Sequence, residues 1–511
     1  MKKRPNILLI TSDQHRGDCY GFEGRKVLTP HLDQMAREGT RFSACITPNV
    51  VCQPSRASIL TGLLPRTHGV HDNGIDLDPT IGEQGFAGSL ARAGYNTGFI
   101  GKAHFSTYHT FQPTGTPECT PSSRTYAPDW SGPYMGFEHV ELMMTGHNYF
   151  LPNTPQEGHH YERFFHSNGQ GQRRIDAYQT QLPPLSDAAQ TFNSALPEAF
   201  HNTTWVADRT IEFLRDSSTS EDPFCLWASI PDPHHPFDAP APWCFLHHPD
   251  EVDIPQHRSR DLEHRPWWHR AALENDPVGG SEFSRKVRRE YSRIQPQTDQ
   301  QLREMTANYY GMISLIDHNV GRILQALQTY GLDEDTLVIF STDHGDFMGD
   351  HGLYLKGPMH YEGLLRVGLL MKGPGVPLDK VVNSPVSTLD LCPTFLDYAG
   401  GESEPDLHGT SLRHLLEDPT ADRDFALNEW DLLPGRAGVK LDLRVVRTQT
   451  HKLTLELESG EGEMYDLKND PHELHNLFHE PAQRAVRNEL TDMIRSRPDD
   501  MRPVGTPVGA A

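Results

Sequence analysis

The first hundred residues alternate short apolar runs with short helical ones, and that rhythm limits the fold more than any other feature. Residues 6–11 are an Ile- and Leu-rich run that reads as a strand. Residues 30–38 read as a helix opened by Thr29-Pro30, a cap followed by proline in the first turn. Residues 55–61 look like the first turns of another helix, 86–93 are helical up to Gly94, and 95–100 form a strand. The pattern predicts an α/β fold, a large mostly parallel sheet sandwiched by helices.

Residues 105–200 are rich in Pro, Gly, Thr and His with weak periodicity, which in a compact domain marks a functional loop. Helix returns at 204–215 and strand at 224–230. A second polar, His-rich segment covers 231–297. The longest helical pattern is 302–327, followed by strands at 336–341 and 367–372. From about residue 420 the texture changes to short strands, 439–448 and 452–457, and a terminal helix over 481–496. The expected organisation is a large catalytic unit over 1–419 and a small α+β subdomain over 420–511. The tail after Arg497 is expected to be free or docked on a second copy of the chain, making a homo-oligomer.

The balance of 46 basic and 69 acidic residues gives a formal net charge of −23, which repels nucleic acid and anionic membranes. An anionic substrate therefore needs a locally positive site. No apolar stretch approaches the roughly 20 residues of a membrane span. The basic start leads into a run too short for a signal peptide, and the seven cysteines are sparse and odd in number. A reducing cytoplasm is the expected compartment.

The most informative segment is Cys52-Gln53-Pro54-Ser55-Arg56. A cysteine just ahead of a helix start sits where backbone N–H groups and the helix dipole favour negative charge, and Arg56 adds a fixed cation. Extended to Leu60-Thr61-Gly62, the segment resembles the sulfatase signature in full. Residues 94–104, from Gly94-Tyr95 through Gly101-Lys102-Ala103-His104, resemble the second sulfatase signature, and Met464-Tyr465-Asp466-Leu467 to Asn476-Leu477 is similar to the C-terminal pattern. The resemblance is to bacterial arylsulfatases and phosphonate monoester hydrolases of the alkaline phosphatase superfamily.

That resemblance implies conversion of Cys52 to formylglycine by a formylglycine-generating or equivalent maturation enzyme. One hydroxyl of the hydrated aldehyde would attack sulfur and the other would let the covalent sulfate leave by C–O cleavage, a release that a serine lacks. One divalent metal ion, Ca²⁺ or Mn²⁺, is implied beside Cys52. Asp13-Gln14 and Asp343-His344 end the strands at 6–11 and 336–341, and carboxylates at the carboxyl ends of parallel strands are placed to converge on one ion. Gln14 and His344 depart from the Asp and Asn of many sulfatases. They favour the phosphonate hydrolase branch and a transition ion.

Lys102 and His104 resemble the pair that binds sulfate and handles the hemiacetal proton. Two apart at a strand end, their side chains are expected to point the same way. His234, in Pro233-His234-His235-Pro236, is implied to contact the ester oxygen or protonate the leaving group, with His235 structural. Lys356 matches a second sulfate-binding lysine, and Asn73 an active-site amide. Arg56, Lys102, Lys356 and the metal make the positive pocket. The histidines in His159-His160, His247-His248 and Trp267-Trp268-His269 are expected to be loop or packing residues.

The expected function is metal-dependent hydrolysis of a sulfate ester, releasing sulfate and an alcohol or phenol. The alternative is hydrolysis of phosphonate monoesters or phosphodiesters at the same site, and a remoter one is a non-catalytic anion-binding relative.

Overall fold

The computed structural model describes residues 4–144, 158–279, 282–401 and 406–509. The centre of the irregular stretch (145–157), the first three residues of the basic start and the last two of the tail lie outside the described residues. The main sheet contains β1 (Asn6–Ser12), β2 (Thr40–Phe42), β3 (Asn96–Gly101), β4 (His139–Leu142), β5 (Phe224–Ser229), β6 (Thr336–Thr342), β7 (Leu369–Lys372) and β8 (Lys380–Val382). Its order is β8-β2-β7-β6-β1-β5-β3-β4. Only β7 runs antiparallel to its neighbours, so the predicted sheet is present with one reversed strand.

Every residue of β1 is buried, because both faces of the sheet are covered. Alternate side chains enter two different cores, as the two-residue strand period requires. Ile7 and Leu9 join Phe99, Trp227 and Ile339 on one face, while Leu8 and Ile10 join Val206, Ile316 and Phe340 on the other. Trp227 anchors the first core: its ring centroid lies 5.3 Å from Phe99, 5.8 Å from Phe105 and 6.0 Å from Phe86. Its indole N–H donates to Thr11 Oγ1 at 2.8 Å. Trp227→Ala is expected to cost about 3–5 kcal/mol, read as a lower denaturant midpoint.

Helix α1 spans Cys52–Thr61, so it begins at the cysteine rather than beyond it as the sequence suggested. Proline at the third helical position tolerates this, because its missing N–H would have no partner in the first turn. Helix α2 is Asn202–Ser217 and α3 is Asp299–Thr329. Thr298 and Gln301 form a reciprocal capping box that starts α3 three residues ahead of its apolar pattern. The irregular stretch contains helices at His160–His166 and Gly171–Gln179, whose short polar patterns gave weak signals.

Near the C-terminus a four-stranded antiparallel sheet, β9 (Phe425–Leu432), β10 (Leu441–Thr448), β11 (His451–Glu456) and β12 (Gly462–Asp466), is followed by α4 (Arg484–Arg495). Asn49 Nδ2 donates to Glu429 O at 2.7 Å, tying β9 to the approach of α1. Among the described residues no helix is long and apolar enough to cross a membrane, and the cysteines are buried thiols without a disulfide.

Candidate active site

The site is built by strand register. Ser12 pairs with Thr342 across β1 and β6, so Asp13 and Asp343 leave adjacent strand ends at one level. Gly101 pairs with Ser229 across β3 and β5, which places the Lys102 and His234 segments at the same edge. The carboxyl edge of a parallel sheet is where its connecting loops leave room for a ligand.

At this edge one ligand atom each of Asp13, Cys52, Asp343 and His344 lies within 4.8 Å of the others, all buried. Cys52 Sγ is 3.6 Å from Asp13 Oδ1 and 3.1 Å from His344 Nε2. His344 Nδ1 donates to the Gly345 carbonyl at 2.8 Å, which fixes the ring with Nε2 turned to the cluster. Asp343 Oδ1 accepts the backbone N–H groups of Gln14 and His344, at 3.1 and 2.9 Å. Two carboxylates and an imidazole on one centre are a donor set that fits a divalent cation.

Gln14 holds a left-handed backbone conformation, φ 63°. Its amide nitrogen donates to Asp346, while its buried Oε1 has no hydrogen-bond partner. That orphaned oxygen is a donor atom suited to a cation. The missed residue here is Asp346, whose carboxylate fixes which way the amide points.

Arg56 is buried beneath the cluster. Its Nε donates to Asp343 at 2.9 Å, one Nη to Asp13 at 3.3 Å, and the other to the Lys102 carbonyl and Ser229 Oγ at 2.6 and 2.7 Å. Lys102 Nζ pairs with Asp13 and lies 4.0 Å from Cys52 Sγ. Lys356 Nζ is 3.1 Å from Cys52 Sγ and 3.2 Å from both His234 Nε2 and His344 Nε2. Burial alone would raise the Cys52 thiol, but Lys102, Lys356 and His344 together hold it well below the ordinary thiol range.

Strand β3 ends at Gly101, so strand alternation does not aim Lys102 and His104 together as the sequence suggested. Both still line the cavity, because His104 turns into a left-handed conformation, φ 53°. Its backbone N–H and those of Phe105 and Ser106 donate to the Glu118 carboxylate. Its ring stacks on Tyr108 at 4.7 Å, and burial beside Lys102 pushes its pKa down to about 4. Glu118 and Tyr108 carried no signal in the sequence, since neither sits in a recognisable motif.

His234 stacks on His235 at 4.1 Å, and its Nδ1 donates to the His235 carbonyl at 2.7 Å. His235 also lines the cavity and its Nδ1 is 3.2 Å from Gln14 Nε2, so it touches the site rather than only packing behind it. Asn73 lines the cavity too, and its Oδ1 accepts the Gln53 N–H at 3.0 Å. This supplies the start of α1 with the cap that Val51 cannot provide. By contrast, His159 meets the Pro117 carbonyl, His247 the Ser314 hydroxyl and His269 the Glu463 carboxylate, all outside the cavity wall.

The sulfatase family model matches residues 5–401, and the model for the C-terminal part of N-sulphoglucosamine sulphohydrolase matches 349–499. An arylsulfatase of Clostridium perfringens is 31% identical over 490 residues, covering 93% of this chain and 90% of the relative. The multifunctional alkaline phosphatase superfamily protein PehA of Trinickia caryophylli is 29% identical, covering 94% and 93%. The crystal structure of the phosphonate monoester hydrolase of Agrobacterium radiobacter is 27% identical, with a TM-score of 0.75 and coverage of 96% and 95%. Fold and site thus define a sulfatase-type hydrolase of the alkaline phosphatase superfamily. The chain belongs to the sulfatase family.

Proposed function

We propose that the chain hydrolyses a sulfate monoester, with a nucleophile made by oxidising Cys52 to formylglycine. The observation that carries this reading is the environment of Cys52: first residue of a buried helix, flanked by two lysines, and within ligand distance of Asp13, Asp343 and His344. A thiol so placed faces the cationic groups that a transferred sulfuryl group requires.

Asp13, Asp343 and His344, with Gln14 Oε1, would hold a divalent ion, Ca²⁺ or Mn²⁺, and that ion would supply Lewis acidity to a sulfate oxygen and to the nucleophile. The hydrated aldehyde at position 52 would supply both the attacking hydroxyl and the one whose deprotonation expels sulfate. Lys102 and Lys356 bind the anionic oxygens. His104, neutral at pH 7, takes the proton of that second hydroxyl. His234 faces the leaving-group oxygen and either contacts or protonates it, and Asn73 contacts the substrate from the start of α1. Asp343→Ala is expected to lower retained metal by tenfold or more, read by elemental analysis after gel filtration; full occupancy would refute the ligand assignment.

A second reading, hydrolysis of phosphonate monoesters or phosphodiesters by the same residues, is favoured by His344 at the metal cluster and Gln14 beside it. Side-by-side kcat/KM values on an aryl sulfate and an aryl phosphonate monoester, with Cys52→Ala as control, separate the two. Faster sulfate turnover supports the first reading and faster phosphonate turnover the second. The mass of the Cys52 peptide tests the modification, and thus the need for a maturation enzyme. The division into a catalytic unit over 1–419 and a subdomain over 420–511, a cytoplasmic location and self-association through the tail belong to the same proposal.

A further inference from the structure

The wall of the cavity of about 240 Å³ that opens from Cys52 includes Tyr108, whose hydroxyl the chemistry above leaves unused. Tyr108 is 7% exposed, and among the described residues its hydroxyl has no hydrogen-bond partner. A buried hydroxyl without a partner costs free energy, so a partner that arrives with the ligand is the economical explanation. The hydroxyls of Tyr20 and Tyr398 are also unpartnered, but neither residue lines the cavity. Burial and the charge of Glu118 hold the Tyr108 phenol well above the ordinary tyrosine range; Arg56 opposes that rise, and Asp13 and Cys52 add to it, which sets the hydroxyl in the field of the cluster. At neutral pH it therefore keeps its proton and acts as a donor rather than a base. The residue is also held firmly. Its carbonyl accepts the Thr120 N–H at 3.1 Å, the Thr107 N–H donates to Asp76 at 2.8 Å, and the Phe105 carbonyl accepts the Leu77 N–H at 2.9 Å. Its ring lies on that of His104 with 17° between the planes. A donor fixed in this way is preorganised for charge that develops on a bound oxygen.

We propose that the Tyr108 hydroxyl is a further catalytic group, donating a hydrogen bond to an oxygen of the group transferred to residue 52. The proposal rests on the ester-hydrolase reading of the Cys52 cluster. It holds for a sulfuryl or a phosphonyl group alike, since both present anionic oxygens to their surroundings. No proton leaves the phenol. The hydrogen bond strengthens as charge accumulates on that oxygen, and the resting protein bears the cost of the unpartnered hydroxyl until the ester relieves it.

Tyr108→Phe removes the hydroxyl and keeps the ring with its stack on His104. In the mature enzyme it is expected to lower kcat/KM on an aryl sulfate by about tenfold or more, and to weaken competitive inhibition by inorganic sulfate by a similar factor. The denaturant midpoint should stay the same or rise, because the variant sheds an unpartnered polar group. That third reading separates this role from a structural one: a hydroxyl bonded within the fold would lower the midpoint when removed. A lower midpoint, an unchanged kcat/KM or unchanged inhibition by sulfate would each overturn the proposal. If the aryl sulfate is not turned over and an aryl phosphonate monoester is, the sulfate reading fails separately. The same comparison on the phosphonate, with inorganic phosphate as inhibitor, then decides the role of Tyr108. If neither ester is turned over, the hydrolase reading itself fails. Calorimetric titration of inorganic sulfate into the wild-type and Tyr108→Phe proteins still tests the contact, and equal affinities, or no binding to either, would overturn it.

Discussion

Cys52→Ala is expected to lower ester hydrolysis by about four orders of magnitude or more, because nucleophile and release step vanish together. The surrounding cations remain in that variant, so substrate should still bind. Loss of kcat with retained affinity is the expected signature. Lys356 Nζ and His344 Nε2 both lie 3.1 Å from Sγ, so the groups around the nucleophile stay in place when the thiol is removed. Cys52→Ser offers a sharper version. If the serine stays unmodified, its sulfate ester has no internal route of release, and a covalently sulfated protein should accumulate in intact-mass spectra. Multiple turnover by Cys52→Ala at wild-type rate would place the nucleophile elsewhere and sink the proposed mechanism.

The second large effect is structural. Arg56→Met is expected to destabilise the protein by about 3–5 kcal/mol, since removing one partner of a buried ion pair leaves uncompensated charge. Arg56 is fully buried and donates to both Asp343 and Asp13. Burial and the charge of Asp13 already raise the Asp343 carboxyl, and Arg56 opposes that rise. Without the guanidinium the two carboxylates repel at close range. Denaturant unfolding of chelated protein is the right measurement, because a bound cation would otherwise take over the compensation. The midpoint should fall, and Arg56→Lys should recover only part of the loss, as an ammonium cannot donate along all four directions that Arg56 uses. An unchanged midpoint would mean that the two carboxyls share a proton instead.

Much of the candidate site was legible in sequence because its residues lie in short contiguous motifs. Asp13-Gln14, Cys52 to Arg56, Lys102 with His104, His234 and Asp343-His344 sit at or just beyond the ends of predicted elements, and Lys356 follows Asp343 by thirteen residues; the structure gathers them around one cavity, the ligand cluster beside it or, for Gln14 and Arg56, the hydrogen bonds to that cluster. The parallel sheet was legible too, since a strand covered on both faces must be apolar at consecutive positions, as Ile7 to Ile10 are.

Other features depended on tertiary structure. The start of α1 at Cys52 relies on Asn73, twenty-one positions away, to accept the second N–H of the helix. The aim of His104 depends on Glu118 gathering three successive backbone N–H groups. The side Gln14 presents depends on Asp346. The sequence by itself determined which local chemistry is present, because periodicity and motif spacing act over a few residues. Only the tertiary structure decided which distant donors, acceptors and charges meet, because those contacts come from strand register and loop packing, whose partners lie too far apart in the chain to leave a local pattern.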